Sequence, residues 1–287
     1  MRKPSRTRSM AWLVSGLCLT LLIGGCATSR QTRNMSSAVE FLYPDTEGQV
    51  ITPGIPVLSL PIRVGIAFVP GGGYGYRHDT ALTETRRMEL MKRVADHFKK
   101  YPYVKSVELI PSAYLRPKGS FANLDQLRTM FGVDVIALVS YDQVQFTDSG
   151  LLGLTYWTIV GAYVVPGEKN DTHTMIDTVV YDIASRKMLF RAPGVHHIKG
   201  RATPVNLSEK LRDDRTTGFD EAGKDMITNL DLQLGQFREK IKERPEEYRV
   251  VRTSGYTGGG SVDALMLALA AMLAGGLLCK RRRLLPD

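Results

Sequence analysis

Cysteine is nearly absent from this 287-residue chain, and its three copies lie outside the long central part. Cys18 and Cys26 are near the amino end, and Cys279 is near the carboxyl end. Because residues 27–278 contain no cysteine, disulfides, cysteine-ligated zinc and thiol catalysis are excluded there. Histidine is also scarce, with five copies in the whole chain. A catalytic or metal centre built on imidazole therefore has few residues to draw on.

An excess of positive charge is also missing from the central part, although the whole chain carries a net charge of +9. Eight of the 38 basic residues and two of the 29 acidic residues lie in the two end segments, so residues 26–258 carry a net charge of +3. No basic stripe with interleaved aromatic residues runs through them. We therefore expect no nucleic-acid binding, and the basic clusters at the ends are typical of membrane topology signals.

The amino end has the pattern of a secretory signal peptide over residues 1–25. Four basic residues lie between positions 2 and 8, and an apolar run over 11–23 follows that is too short for a comfortable membrane span. The run ends in Ile23-Gly24-Gly25-Cys26, where the two glycines allow the chain to leave the helix and enter a narrow protease site. An ordinary signal peptide with a chance cysteine remains the alternative.

The tetrapeptide at Cys26 resembles the lipobox of bacterial lipoproteins. The resemblance implies cleavage before Cys26 by the lipoprotein signal peptidase, diacylglycerol on the Cys26 sulfur and acylation of the new amine. Two or three acyl chains make a stable membrane anchor, whereas one does not. The next residue is Ala27, not aspartate, which in that family implies transfer to the outer membrane. Residues 26–56 are polar and then broken by prolines, so we predict a flexible tether.

The carboxyl end combines a flexible segment, a short apolar run and a basic cluster. Residues 246–261 are predicted to be a linker that ends in Gly258, Gly259, Gly260 and Ser261. The apolar run over 264–278 spans about 22 Å as a helix, less than the ~30 Å hydrocarbon core. Lys280, Arg281, Arg282 and Arg283 follow and place that end in the cytoplasm. We predict a short transmembrane helix with its basic cluster over 262–283 and a periplasmic body.

This ending resembles the Gly-Gly carboxyl-terminal sorting signal, whose tail is cut by rhombosortase, a rhomboid-type intramembrane protease. A lipobox and this tail on one chain of this size resemble the rhombotarget lipoprotein family. The resemblance implies processing at both ends and display at the outer membrane or cell surface, often alongside type II secretion. The site of the second cut stays open within about residues 254–261. A permanent inner-membrane anchor is the alternative.

Periodicity along residues 57–245 predicts one α/β (α+β) domain. We expect strands over 62–69, 104–110, 134–140, 151–165, 174–182 and 188–192, and helices over 83–100, 123–131 and from a Ser208 cap to about 242. The order is βαβαβ, then β-hairpins, then a long helix, which predicts a mixed sheet with helices packed on it. Small envelope lipoproteins, such as the curli-secretion lipoprotein and the penicillin-binding-protein activators, are similar at this level.

Chemically suggestive residues in the body form no complete site. Gly71-Gly72-Gly73 follows a strand, but no GK[ST] sequence follows, which favours a plain turn. His196 and His197 are adjacent on a strand and should face opposite ways, and His173 is the only other histidine nearby. The sequence therefore gives no reason to expect a metal or another cofactor.

Serine and acidic residues give a similar result. Ser140 and Ser149 lack the sequence of a nucleophile elbow. Several acids are expected to face solvent, either on the polar side of the first long helix or along strands: Glu84, Glu89, Asp96, Asp142, Asp177 and Asp182.

Two functional classes remain. The first is a non-catalytic envelope lipoprotein that binds an envelope protein partner or scaffolds secretion or assembly. Its interface would use exposed aromatic side chains, the candidates being Tyr74, Tyr76, Tyr156 and Trp157. The second is an envelope hydrolase with a loop-borne site, which a pocket joining His173, His196 or His197 to a carboxylate would favour. We expect the first.

Overall fold

The computed structural model describes residues 29–44, 52–71, 82–149, 168–203, 205–253 and 256. Its strands are β1 (Ser29–Met35), β2 (Val57–Leu60), β3 (Ile62–Phe68), β4 (Val104–Ile110), β5 (Val135–Ser149), β6 (Glu168–Asp182), β7 (Lys187–Ala202) and β8 (Arg249–Arg252). Its helices are α1 (Ala38–Leu42), α2 (Glu84–Phe98), α3 (Ser120–Phe131) and α4 (Leu207–Glu243), with a 3-10 turn at Ser112–Tyr114. The predicted class is confirmed: a mixed sheet with helices packed on it and a long final helix.

The main sheet has the order β4-β3-β5-β6-β7. Strand β3 is parallel to β4 and to β5, whereas β5, β6 and β7 form an antiparallel meander. The first half of β5 pairs with β3, and its second half pairs with β1 along the same edge. Because both halves have neighbours on both sides, β5 is an interior strand over nearly all of its 15 residues.

Helices cover the two faces of the sheet unevenly. On one face, α2 and α4 pack on β3, β5, β6 and β7, and Leu230, Leu234 and Phe237 of α4 lie in that core. On the other face, α1 and α3 pack only near the start of β5. The residues of β5 from Val135 to Tyr141 are all buried, so this part of the strand is covered on both faces.

Helix α4 lies very close to β7 because Gly194 has no side chain. A Cβ at Gly194 would meet the Ala222 carbonyl oxygen and the Met226 nitrogen, each at 2.2 Å. Two side chains of α4 bond to the strand beside it: the Val195 amide donates to Asp225 Oδ2 at 2.9 Å, and Asn229 Nδ2 donates to the Pro193 carbonyl at 2.7 Å.

The prediction of a flexible tether over 26–56 is wrong for residues 29–43. Strand β1 pairs with β5 from Ser29 to Met35. Helix α1 follows, capped by the Ser37 side chain, which accepts from the Glu40 amide. Phe41 and Leu42 are 2% and 1% exposed in the second core. The segment folds because β5 offers an unpaired edge and α1 has apolar side chains to bury.

Three smaller expectations need correction. Strand β8 lies in the predicted linker over 246–261, where it pairs with β2. Ser208 does not cap the long helix, since α4 begins at Leu207 after Asn206. The Asn206 side chain bonds back to Thr203 instead. The predicted strand over 151–165 lies outside the described residues.

The two described ends of the fold lie at opposite ends of the sheet. Ser29 pairs with Asp148, near the end of β5. Arg252 pairs with Leu60, just before β3, whose Val64 pairs with Val135 at the start of β5. At the usual rise per residue, Val135 and Asp148 are about 40 Å apart. None of the helices in the described part of the chain has the length and apolarity to span a membrane.

Candidate functional site

One half of the sheet has a helix on one face only. Beyond Tyr141 the buried face of β5 and β6 is polar and packs on the first turns of α4: Gln145 Nε2 donates to the Leu211 carbonyl at 3.0 Å, and Gln143 Nε2 donates to the Arg215 carbonyl at 3.2 Å. The opposite side we call the open face. Its side chains are exposed or half-buried: Gln31, Arg33, Met35, Asp142, Val144, Phe146, Asp171, His173, Met175, Val195, His197 and Lys199.

Strand register places three of these side chains together. His173 of β6 is directly opposite His197 of β7, and Asp171 lies two residues before His173 on the same face. The two imidazole rings stack with centroids 3.9 Å apart and planes 16° apart. His173 Nε2 lies 3.3 Å from Asp171 Oδ1, and His197 Nε2 contacts the same oxygen. We call this set the histidine–aspartate cluster.

The surroundings of the cluster are aromatic on one side and basic on the other. The rings of Phe146 and His173 are nearly perpendicular, with a centroid distance of 6.2 Å. A shallow groove beside Asp171 is lined by Phe146 and by basic residues, namely Lys169, Lys199 and Arg201. Lys199 is the residue opposite Asp171 in register, so its ammonium shares the face with the carboxylate.

Sequence reasoning considered His173, His196 and His197 but missed Asp171. As expected, His196 and His197 belong to opposite faces of β7, and only His197 joins the cluster. Its partner is His173 because the register of β6 and β7 shifts at Val180 and Tyr181. Without that shift, the β6–β7 hairpin would put His196 opposite His173.

The acidic residues proposed along the strands make ion pairs or turn contacts that stabilise the fold. Asp142 is partly exposed and pairs with Arg33 at 2.6 Å. Asp177 and Asp182 were predicted to face solvent, and the structure shows that they do not. The side chain of Asp177 is 13% exposed and pairs with Arg191 at 2.7 Å, and burial raises its pKa while Arg191 opposes that rise. Asp182 is 3% exposed and accepts from the Ser185 amide, so it fixes the hairpin turn.

Helix α2 contributes structural contacts rather than a second site. Glu89 and Asp96 are exposed, as expected. Glu84 accepts from the amide and the hydroxyl of Ser112, which joins the start of α2 to the 3-10 turn. At the other end of α2, His97 and Tyr101 both contact Asp231 of α4.

Ser140 is not placed as a nucleophile. It is 7% exposed, and its hydroxyl donates to the Asp177 carbonyl within the sheet. Ser149 lies in β5, but its side chain is outside the described part of the structure. The remaining predicted site residues lie wholly outside the described residues: Ile23, Gly24, Gly25, Cys26, Gly72, Gly73, Tyr74, Tyr76, Tyr156, Trp157, Gly258, Gly259, Gly260, Ser261, Lys280, Arg281, Arg282 and Arg283.

Comparison with solved structures identifies remote likenesses. The chain matches no model of a known protein family and no curated protein sequence. A dodecamer of a PelC point variant from Paraburkholderia phytofirmans has 11% identity and a TM-score of 0.28, covering 71% of this chain and 98% of its own. A putative neuraminyllactose-binding hemagglutinin homolog from Helicobacter pylori has 10% identity and a TM-score of 0.35, with 71% and 97% covered. Likenesses this remote carry no argument about function.

Proposed function

We propose that this chain is a lipid-anchored envelope protein that is processed at both ends and displayed at the outer membrane, where its body acts as a non-catalytic binding or scaffold domain. Lipoprotein signal peptidase cuts before Cys26, and rhombosortase cuts near Gly258–Ser261. The partner of the body is another envelope protein linked to secretion or assembly. The observation that carries the proposal is the pair of end motifs on one chain.

The position of β1 supports a membrane-proximal body. Only two residues separate Cys26 from Ser29, the first residue of β1, so the Cα atoms of Cys26 and Ser29 are at most about 11 Å apart. A lipid on Cys26 therefore holds one end of the sheet at the membrane surface. Lys169 and Arg201 are exposed and opposite each other at that same end, where cationic side chains favour anionic headgroups.

The open face supports a binding role. It has exposed apolar side chains, among them Met35 at 44%, Phe146 at 36% and Val195 at 61% exposure. Such side chains next to charged groups are typical of protein interfaces. We therefore expect the envelope partner to contact this face.

One observation favours the second candidate, an envelope hydrolase. The histidine–aspartate cluster joins two histidines to a carboxylate, which are side chains that can serve general acid–base catalysis. It lies on strands and not on loops, however, and His173 keeps 51% of its side chain exposed. Catalytic groups work best where water is excluded, so the open position of the cluster suits binding better than hydrolysis.

The processing half of the proposal is tested by intact mass. Wild-type cells should yield a chain that begins at acylated Cys26 and ends near Gly258, and cells without the rhomboid-type protease should retain residues up to Asp287. Retention of Arg281 to Asp287 in wild-type cells would make the tail a permanent anchor and contradict the proposal.

The binding half is tested by photo-crosslinking in intact cells. A crosslinking residue at Val195, 61% exposed on the open face, should trap one discrete envelope protein. The matched control is Leu232, which is also apolar and 58% exposed but lies on α4. Equal trapping from both positions, or none from Val195, would argue against the open face as the interface.

A further inference from the structure

We propose that Asp171, His173 and His197 bind one divalent transition-metal ion of the zinc type. This inference does not depend on lipidation, on tail cleavage or on the identity of the partner. It depends on the arrangement of three side chains on neighbouring strands.

The spacing of the ligand atoms fits a tetrahedral ion. One nitrogen from each ring and one oxygen from Asp171 all lie within 4.8 Å of one another. Zinc bonds of about 2.0–2.1 Å to nitrogen and oxygen put neighbouring ligand atoms about 3.3–3.4 Å apart around a tetrahedron. His173 Nε2 and Asp171 Oδ1 are already 3.3 Å apart. His197 is closer to that oxygen, and the two rings are stacked with planes 16° apart. Binding would therefore require side-chain rotations that move His197 outward and tilt the rings until both nitrogens point at the ion.

The ligand types select the class of metal. Two imidazoles and one carboxylate suit zinc and its neighbours copper, nickel and cobalt. Calcium and magnesium prefer sites made of oxygen ligands, and this cluster provides one carboxylate. Three protein ligands leave one tetrahedral position for water, and the exposure of His173 and His197, 51% and 38%, leaves room for it.

The strands hold the ligands before an ion binds. His173 and His197 are paired across two hydrogen-bonded strands, and Phe146 contacts one side of the His173 ring. The strands therefore already restrict these side chains, which lowers the conformational entropy lost when an ion binds. Lys199 opposes the ion, because its charge lies on the same face and competes for Asp171. Lys169 and Arg201, which line the groove beside Asp171, also oppose it. Arg33 and Asp142 on the same face neutralise each other at 2.6 Å.

Zinc titration of the full chain tests the proposal, with the protein purified in detergent without a polyhistidine tag and stripped with chelator. Calorimetry should show one zinc ion per chain. His173→Ala, His197→Ala and Asp171→Asn should each weaken zinc binding by at least about 100-fold. Mutation of residues that only hydrogen-bond to metal ligands already lowers metal affinity about 10–100-fold. His196→Ala is the matched control, since His196 lies on the other face of β7, and its binding should equal that of wild type.

Two further measurements keep the outcome clear if a variant fails to fold. In wild-type protein, acylation of histidines by diethyl pyrocarbonate, mapped by mass spectrometry, should fall at His173 and His197 when zinc is added and stay unchanged at His196. Lys199→Ala should bind zinc more tightly than wild type. Zinc binding that His196→Ala abolishes, or that survives loss of both His173 and His197, would overturn the site. Equal protection of all three histidines would do the same.

Discussion

At the scale of single residues, glycines decide how closely α4 approaches the sheet. Gly194 lies at the point where the backbones of β7 and α4 nearly touch. Gly218 is at a similar contact, since a Cβ there would lie 2.5 Å from Thr174 Oγ1. Gly235, on the same helix, has nothing within 4 Å of an added Cβ. The three glycines therefore differ in how much room an added side chain would have.

Gly194→Ala should therefore lower the free energy of unfolding by about 2 kcal/mol or more, because the new methyl group forces α4 away from the strand. Gly235→Ala is the matched control and should raise it by about 0.5–1 kcal/mol, since alanine is the better helix former. Urea denaturation measures both. A similar small effect from both substitutions would mean that α4 does not contact β7 at Gly194.

Asp177 should make stability depend on pH. Its pKa is raised above the ordinary 3.8, mainly by burial, with Arg191 opposing the rise. A raised acid pKa favours the protonated form in the fold. The stability that Asp177 adds is thus present below about pH 4 and is lost as the pH rises through the raised pKa.

The free energy of unfolding should be measured between pH 3.5 and 7 for wild type and Asp177→Asn. The wild-type value relative to the variant should fall as the pH rises, because the variant has no proton to lose. Parallel profiles would show that Asp177 has the same pKa in the folded and unfolded chain.

The residue scale also shows where sequence reasoning stopped. The histidines were visible as candidates, but the face each one occupies depends on a single extra residue. Met188 pairs with Tyr181, and Phe190 pairs with Val180, so Leu189 is the additional residue in β7. Leu189 is buried, and no turn residue in the sequence marks it. A register read from the hairpin turn alone assigns His196 to His173 and misses the cluster.

At the scale of elements, the long periodic segments were predictable and the short ones were not. Helix α2 and strands β3 and β4 follow their apolar spacing. Strands β5, β6 and β7 were predicted only in part, over 134–140, 174–182 and 188–192, because the rest of each strand is more polar. Helix α1 has five residues, too few for periodicity to be recognised. Strand β1 is polar, and its stability comes from pairing with β5 rather than from its own side chains. Composition therefore indicated a tether where the fold has an edge strand and a helix.

Phe41→Ala should destabilise the protein by about 3–5 kcal/mol, because the ring is 2% exposed in the second core. Val39→Ala is the matched control on the same helix, and its 69% exposure limits the effect to about 0.5 kcal/mol. Thermal or urea unfolding measures the pair. If both substitutions were neutral, residues 29–43 would be the flexible tether that the sequence suggested.

At the scale of the whole molecule, the proposed lipidation at Cys26 makes one end of the sheet proximal to the membrane and the other end distal, and β6 runs between the two ends. Lys169 is near the start of β6 and pairs with Asp148 of β5, whose other neighbour is Ser29 of β1, whereas Ala184 follows the end of β6. From Lys169 to Asp182 the strand advances 13 residues, so about 40 Å separates the two positions along the strand direction. Both are exposed. Since residues 27–278 contain no cysteine, one label can be introduced at either position.

A fluorophore at Lys169→Cys should transfer energy to an acceptor in the bilayer more efficiently than one at Ala184→Cys. The lipidated protein, with Cys279→Ser, would be reconstituted in vesicles that contain an acceptor lipid. A long Gly-Ser spacer inserted after Thr28 is the control and should reduce the difference. Equal transfer from both positions without the spacer would mean that β1 does not hold the sheet end at the membrane.

The separation of the two chain ends along β5 gives tail removal a mechanical consequence. Under the proposed processing, the precursor is held by lipid at the Ser29 end and by its tail from the Arg252 end, about 40 Å away along the strands. Two attachments fix the orientation of the body, whereas one attachment is a pivot. Cutting the tail would therefore release the body to swing about Cys26, and a partner that needs the open face turned towards it would meet only the mature chain.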